Sequence, residues 1–332
     1  MRCMKVLLSG GLGFIFSHVL EYFLKNYDYS ILNVDRCSYA SRSELILVFE
    51  KLAKALNRDY TGWFYENGDV ARKDVRQELI AYKPDLIICA HSETHVDNSI
   101  KDSAPFIRDN VGGALNLLDV ARYTGARFIY ISTDEVLAHT PPDVFGSAVK
   151  FYRMREEAMF GPGNPYSASK ASVEMLVQAY RNTYGIKATI IRPTNVYGYG
   201  QNREKLIPKT IANALQDKPI GVYGQGLQWR DYLNINDFVR AFDLIFHEFL
   251  SGNMEPVWHV AANQERQNVD TVRAVLRALD KPFSLIEYVD DRLGHDVAYS
   301  LDCTKLQSLG WKPRIRWEDG IKEMVRQYQE HV

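Results

Sequence analysis

Thr133, Asp134 and Glu135 set a hydroxyl and two carboxyl groups side by side, directly after the run Phe128-Ile-Tyr-Ile-Ser132. A short β-branched and aromatic run of this kind forms a buried strand. The carboxyl ends of such strands are where open α/β sheets carry their chemistry. Further along, Tyr166 and Lys170 stand four apart in Tyr166-Ser-Ala-Ser-Lys170, within a stretch from Tyr166 to Tyr184 that reads as helix. That spacing puts both side chains on one helix face, about one turn apart. A lysine so placed stabilises a phenolate and brings the tyrosine into use as a base near neutral pH. Together these residues form a set for moving protons.

The elements that must position them begin at the N-terminus. Lys5 to Leu8 reads as a strand, Ser9-Gly-Gly-Leu-Gly-Phe-Ile-Phe16 as a turn opening a helix to about Asn26, and Ser30 to Val34 as a second strand ending at Asp35. A strand, glycine turn, helix and second strand, with an acid about 20 residues past the glycines, is the layout of a dinucleotide-binding unit. Gly10 and Gly13 let backbone amides at the helix start approach a pyrophosphate. Asp35 can accept hydrogen bonds from an adenosine ribose and disfavours a 2′-phosphate, so NAD is expected rather than NADP. A glycine turn by itself also suits a tight turn without a ligand, and it is the order of the surrounding elements that favours the cofactor. Phe16 takes the place where a third glycine would allow close packing of helix on strand.

Helical stretches at Ser43–Ala55, Lys73–Tyr82 and Pro105–Thr124 alternate with strands at Asp85–Ala90, Phe128–Ser132 and Lys187–Arg192. The alternation predicts an α/β, Rossmann-type, doubly wound parallel sheet with right-handed crossovers. After Gly198 the pattern shifts to short helices (Leu206–Gln216, Ile235–Phe249, Asn268–Leu279, Trp317–Gln329) and short strands (Ile220–Tyr223, Val257–Val260, Ser284–Tyr288). Residues 1–198 are therefore expected to form the NAD-binding domain with the catalytic residues. Residues 199–332 are expected to form a smaller α/β substrate-binding lobe, with elements free to cross the boundary.

The net charge of −1 gives no bulk attraction to nucleic acid or to an anionic membrane, so neither is expected as a partner. The four cysteines, Cys3, Cys37, Cys89 and Cys303, lie singly, without zinc spacing or a disulfide framework, which points to a reducing, cytoplasmic setting and to no metal site. The run Val6–Leu24 is broken by glycines and polar residues and reads as the first strand, turn and helix rather than a signal peptide.

These motifs resemble the extended short-chain dehydrogenase/reductase family of nucleotide-sugar enzymes, and within it the nucleoside-diphosphate-glucose 4,6-dehydratases of the dTDP-glucose or UDP-glucose type. The resemblance runs through Gly10-Gly-Leu-Gly-Phe-Ile, Asn33-Val-Asp35, Glu93-Thr-His-Val-Asp97, Ser132-Thr-Asp-Glu-Val136, Tyr166-Ser-Ala-Ser-Lys170, Asn195-Val-Tyr-Gly198, Glu204-Lys-Leu-Ile-Pro208, Gln228-Trp-Arg-Asp231 and Arg292-Leu-Gly-His-Asp296. Tyr-x-x-x-Lys marks only the superfamily. Thr-Asp-Glu is more specific, because related epimerases and decarboxylases generally lack the adjacent Asp-Glu pair.

The resemblance implies an NAD-dependent lyase of nucleotide-sugar metabolism, making 6-deoxy sugars. Tyr166, with Lys170, would take the proton of the sugar 4-hydroxyl as hydride leaves C4. Glu135 would abstract the C5 proton, Asp134 would protonate the departing C6 hydroxyl, and Thr133 would hold the 4-oxygen. The pattern implies cofactor contacts from Gly10, Gly13, Phe14, Ile15, Asp35, Asp69, Val70, Ser92, Tyr166 and Lys170. It implies substrate contacts from Glu93, Thr133, Asn195, Lys205, Leu206, Val222, Tyr223, Arg230, Asn268, Arg292 and His295, and a homodimer through the helices Pro105–Thr124 and Tyr166–Tyr184. Three places depart from the family pattern: Phe16, His91-Ser92 in place of two alanines, and Leu137-Ala138 in place of Tyr-Gly. The alternatives are a related epimerase, decarboxylase or N-acetyl-sugar dehydratase, or a catalytically silent dinucleotide-binding protein.

Overall fold

The computed structural model describes residues 3–145, 148–291 and 293–330. The chain divides into two compact units, one made of residues 1–136, 164–192 and 245–258, the other of residues 137–163, 193–244 and 259–332.

The first unit is organised on a seven-stranded sheet. Its strands are β1 (Lys5–Ser9), β2 (Ser30–Asp35), β3 (Tyr60–Phe64), β4 (Leu86–Cys89), β5 (Arg127–Ile131), β6 (Ala188–Pro193) and β7 (Val257–Val260), in the spatial order β3-β2-β1-β4-β5-β6-β7. From β3 to β6 every neighbouring pair is parallel. The expected doubly wound sheet is thus present. All four residues of β4 are fully buried, as a central parallel strand covered on both faces must be. The chain works outward from β1 to β3 and then returns to β4 on the other side of β1. The crevice where the winding reverses therefore lies beside the turn that follows Ser9, the place where such sheets bind ligands.

Helix Phe14–Asn26 buries Phe16, Val19, Leu20, Phe23 and Leu24, one stripe at helical spacing. Phe16 is thus the first member of the core face and is only 3% exposed. Burial of a ring of this size contributes about 1.5–3 kcal/mol, so the departure from glycine adds core rather than leaving a hole.

The segment expected as one helix over Pro105–Thr124 is divided. Ala104–Phe106 is a short turn of helix, Ile107–Gly112 is π-helical, and Gly113–Thr124 is a regular α-helix. The wide turn is tied to partners distant in sequence. Asn110 reaches out of it to accept from the Glu93 amide (2.7 Å) and to donate to the Glu93 carbonyl (3.1 Å) and to Ser169 Oγ (2.9 Å). Such insertions recur at functional sites.

In the second unit, Asn195–Tyr197 runs parallel to Trp229–Asn234, which pairs antiparallel with Glu265–Gln267, and Ile220–Tyr223 runs parallel to Ile286–Val289. Helices Leu206–Leu215, Asn268–Ala278 and Trp317–Glu330 close a core around Ile211, Tyr232, Val272, Leu276 and Trp317.

Candidate functional site

The glycine turn is built for close approach. Gly10 adopts φ +80°, and a Cβ there would lie 2.6 Å from the backbone of His91, so no side chain fits. Its amide donates to the Val34 carbonyl (2.9 Å), and the Gly13 amide donates to the Gly10 carbonyl (3.1 Å). Gly13 caps the Phe14–Asn26 helix without a side-chain acceptor, and no acid stands in the first turn. That leaves helix-start amides with Phe14 and Ile15 for an anion. At the end of β2, Asp35 accepts from the Leu12 amide (3.0 Å), the Cys37 amide (2.8 Å) and Ser41 Oγ (2.9 Å). Burial pushes its carboxyl up, and these three bonds pull against that. A bare helix start with a fixed carboxylate one strand away fits a dinucleotide.

The neighbouring charges are organised as pairs. Arg36 bonds Glu93 and lies 2.8 Å from Asp109, while Arg108 pairs with Asp69 and Asp109. Glu93, expected at the substrate, thus has its carboxylate on Arg36. Val70 packs in the core, and Ser92 Oγ donates to the Glu93 carbonyl (2.9 Å).

His91 shows how a bulky departure is absorbed. Its Nδ1 lies 2.8 Å from Ser9 Oγ and its Nε2 3.2 Å from the Asp109 carbonyl. Burial pushes the imidazole down to about 4, with Lys170 adding to the effect, so the ring is neutral at pH 7. A neutral ring that donates to the Asp109 carbonyl through Nε2 accepts from Ser9 through Nδ1. Room for it comes from Gly113, where a Cβ would collide with the imidazole. Gly113→Ala is therefore expected to destabilise by about 1–3 kcal/mol, and by much less in a His91→Ala background. Denaturant unfolding of the four proteins of that cycle checks it; equal losses in both backgrounds would remove the account.

The proton-moving residues gather at the ends of β5 and the Pro165–Tyr184 helix. Asn164 caps that helix, accepting from the Ser167 amide (2.9 Å) while Ser167 Oγ accepts from the Asn164 amide (3.2 Å). Asn164 also donates to Glu135 Oε2 at 3.4 Å, which aims that carboxylate. Thr133 Oγ1 donates to Asp134 Oδ1 (3.1 Å) and accepts from the Glu135 amide (3.3 Å). Thr133 neighbours Tyr166 and pulls its phenol down, against burial. Asp134 is buried and Glu135 half-buried. Burial, followed by the charge of Glu135, pushes the Tyr166 phenol well above its ordinary value. Lys170 Nζ donates to the Ile131 carbonyl (2.6 Å) and lies 4.6 Å from the Tyr130 ring centroid. Thr133, Asp134, Glu135 and Tyr166 are thus one cluster, with Lys170 anchored at the strand end just before it.

The second unit holds most residues expected at a substrate. Arg230 is buried, donates to the Trp229 carbonyl (2.7 Å) and the Asp296 carbonyl (3.1 Å), and lies 4.2 Å over the Tyr299 ring. His295 bonds Asp291 (2.5 Å) and meets the Tyr223 ring edge-on at 6.0 Å. His139, Gly163, His295 and Asp296 line a cavity of about 470 Å³. Asn195 Oδ1 and Gln228 Oε1 are buried without a hydrogen-bond partner, an arrangement that costs free energy until something donates to them. Val222 faces the core while Tyr223 faces out, so any contact at Val222 goes through its backbone. Lys205 and Leu206 stand at the start of one helix and Asn268 at the start of another. Arg292 lies outside the described residues. Asn164 and His139 are not among the expected site residues, and Gln228 stands only within the Gln228–Asp231 motif. Of these, Asn164 before Pro165 with a hydroxyl three positions on was legible as a helix cap.

Residues 6–261 match the model of the NAD dependent epimerase/dehydratase family. A dTDP-glucose 4,6-dehydratase of Salmonella typhimurium is 36% identical over 98% of this chain and 92% of its own length. The Arabidopsis thaliana trifunctional UDP-glucose 4,6-dehydratase/UDP-4-keto-6-deoxy-D-glucose 3,5-epimerase/UDP-4-keto-L-rhamnose-reductase RHM2 is 37% identical over 98% of this chain, which spans 47% of that protein. The crystal structure of DesIV, a dTDP-glucose 4,6-dehydratase from Streptomyces venezuelae with NAD bound, superposes with a TM-score of 0.86 and 30% identity over 98% of this chain and 97% of that one.

Proposed function

Since the chain belongs to the NAD dependent epimerase/dehydratase family, we propose that it is an NAD-dependent nucleotide-sugar 4,6-dehydratase, converting dTDP-glucose or UDP-glucose to the 4-keto-6-deoxy sugar nucleotide and water. The observation that carries this reading is the cluster in which Thr133, beside Tyr166, donates to Asp134 and accepts from the Glu135 amide. Epimerisation at C4 needs a proton moved at the 4-oxygen alone. Dehydration needs two more, one taken from C5 and one given to the 6-oxygen. Adjacent carboxyls in different surroundings can take those opposite roles.

In this reading Tyr166 takes the 4-hydroxyl proton while Thr133 holds the oxygen. The cation of Lys170, fixed by the Ile131 carbonyl, favours the phenolate that burial opposes. Glu135, aimed by Asn164, removes the C5 proton, which a 4-ketone makes acidic, and Asp134 protonates the leaving 6-hydroxyl. The Gly10–Ile15 turn and Asp35 would hold NAD, which would supply a hydride acceptor for C4 and, once reduced, a hydride donor for C6, while Glu135 gives a proton back to C5. Arg230 and His295 suit a diphosphate, and Asn195 and Gln228 supply buried acceptors for donors on the sugar or base. Incubation with each sugar nucleotide tests the reading. A product lighter by one water supports it, whereas an isomer of unchanged mass would assign an epimerase instead.

The chain is further proposed to act as a cytosolic homodimer. Supporting this, the described cysteines are all free. Leu115 and Tyr123 on the Gly113–Thr124 helix, and Met175 and Tyr184 on the Pro165–Tyr184 helix, are exposed apolar side chains. Light scattering is expected to give twice the 38.1 kDa chain mass. Met175→Glu combined with Leu115→Glu is expected to return it to one chain mass; a dimer unmoved by that pair would place the interface elsewhere.

A further inference from the structure

Behind the proton-moving cluster lies an ion pair that the reaction scheme does not use. Glu174 and Arg192 have side chains 2% and 3% exposed. Arg192 Nε lies 3.0 Å and 3.1 Å from the two carboxylate oxygens of Glu174, and its Nη2 lies 2.6 Å from Oε2. Ser132 Oγ donates to the same carboxylate. Desolvating two charges costs several kcal/mol per ion, and well-packed apolar side chains in their place are often no less stable. Stability alone therefore gives no reason for a pair here.

Its position gives one. Tyr166, Lys170 and Glu174 are spaced at i, i+4 and i+8, on one face of the Pro165–Tyr184 helix. Ser132 is the residue at which the sheet ends, its amide making a ladder bond to the Ile191 carbonyl (2.8 Å). Thr133, Asp134 and Glu135 leave the sheet directly after it. Among the described residues, side-chain ties join this strand end to the helix at three places: Lys170 to the Ile131 carbonyl, Tyr130 to the Lys170 carbonyl (3.5 Å) and Glu174 to Ser132, of which only the last reaches the residue directly before the Thr133–Glu135 turn. Arg192, on the adjacent strand β6, fixes the carboxylate from the other side.

We propose that Ser132, Glu174 and Arg192 are positioning residues, which hold the Thr133–Glu135 turn in register with Tyr166 so that the C5 and C6 proton transfers keep pace with oxidation at C4. The inference rests on the dehydratase reading. A displacement of about 1 Å at a reacting group is enough to cost up to about 100-fold in rate. Tyr166 stays on its helix when the Ser132 tie is cut, whereas Asp134 and Glu135 lose a restraint, so the two halves of the reaction should separate.

Ser132→Ala keeps the ion pair and deletes only the tie. It is expected to lower kcat by about 10- to 100-fold with KM near wild type and a loss of stability, that of one hydrogen bond to a buried carboxylate. Entry of solvent deuterium at C5 should fall further than C4 oxidation does, so reduced nicotinamide builds up during turnover where wild type shows none. Ser132→Thr, which retains the hydroxyl, is expected to restore the wild-type ratio. An active wild type together with an unchanged ratio in Ser132→Ala, even with lower kcat or stability, would reduce the triad to a weld between helix and sheet and overturn the inference alone. A wild type that forms no dehydrated product would overturn the dehydratase reading and the inference with it.

Discussion

Glu135→Gln is expected to lower turnover by about 10²- to 10⁴-fold, the range for loss of a positioned general base, and to abolish solvent exchange at C5 while sugar-nucleotide binding stays near wild type. The substitution changes little else. Glutamine has the shape of glutamate, and its amide oxygen can still accept from Asn164, which bonds Glu135 Oε2 in the native protein. The Thr133 bond is to the backbone amide of residue 135 and is untouched. Oxidation at C4 depends on Tyr166 and Lys170, so a single turnover should still generate reduced nicotinamide and then stall. Mass spectrometry in heavy water, with the nicotinamide absorbance followed in parallel, separates the steps. Undiminished C5 exchange would transfer the base role to Asp134 or to another group.

The parts of this molecule that were legible in sequence are those in which neighbours along the chain decide the structure. The glycine turn, the acid at the end of β2 and the Tyr-x-x-x-Lys face all follow from local spacing, and the sheet follows from alternating strands and helices. What was hidden depends on partners distant in sequence. The strand Trp229–Asn234 looks polar because it carries Arg230 and Asp231. It is buried because the Asp231 carboxylate accepts from the Asn263 and Gln264 amides at 3.0 Å and 2.8 Å, and because Arg230 lies over Tyr299. The π-helical turn at Ile107–Gly112 is invisible for the same reason, since its cause is Asn110 bracketing the backbone of Glu93. His91 reads as an intrusion beneath a cofactor until Gly113 is seen beside it. Glu174 is singled out by no local spacing and is buried because Arg192 and Ser132 close on it.

Lys170→Met is expected to abolish turnover while making the protein more stable at pH 7. Lys170 is 3% exposed, and burial pushes its ammonium down from 10.5 to about 8, with Cys89 and Glu174 opposing that fall. Because the folded value lies below the unfolded one, the native state binds fewer protons between about pH 8 and 10.5, and stability rises with pH across that window. Below about pH 8 the penalty for the buried charge is fully present, roughly 3 kcal/mol at 1.36 kcal/mol per pKa unit. Methionine removes the charge and keeps most of the volume. It also leaves the Ile131 carbonyl without its 2.6 Å donor, which returns about 1 kcal/mol of the gain. A net stabilisation of about 2 kcal/mol at pH 7 remains, and it should shrink as wild type gains stability toward pH 10.5. His91, held down partly by the Lys170 charge, should titrate somewhat higher in the variant. Denaturant melts of both proteins from pH 6 to 10.5 decide the matter. A variant less stable than wild type at neutral pH would mean that the ties of the ammonium to the strand end and to Glu174 outweigh its burial, and the lysine would then serve the fold as well as the chemistry.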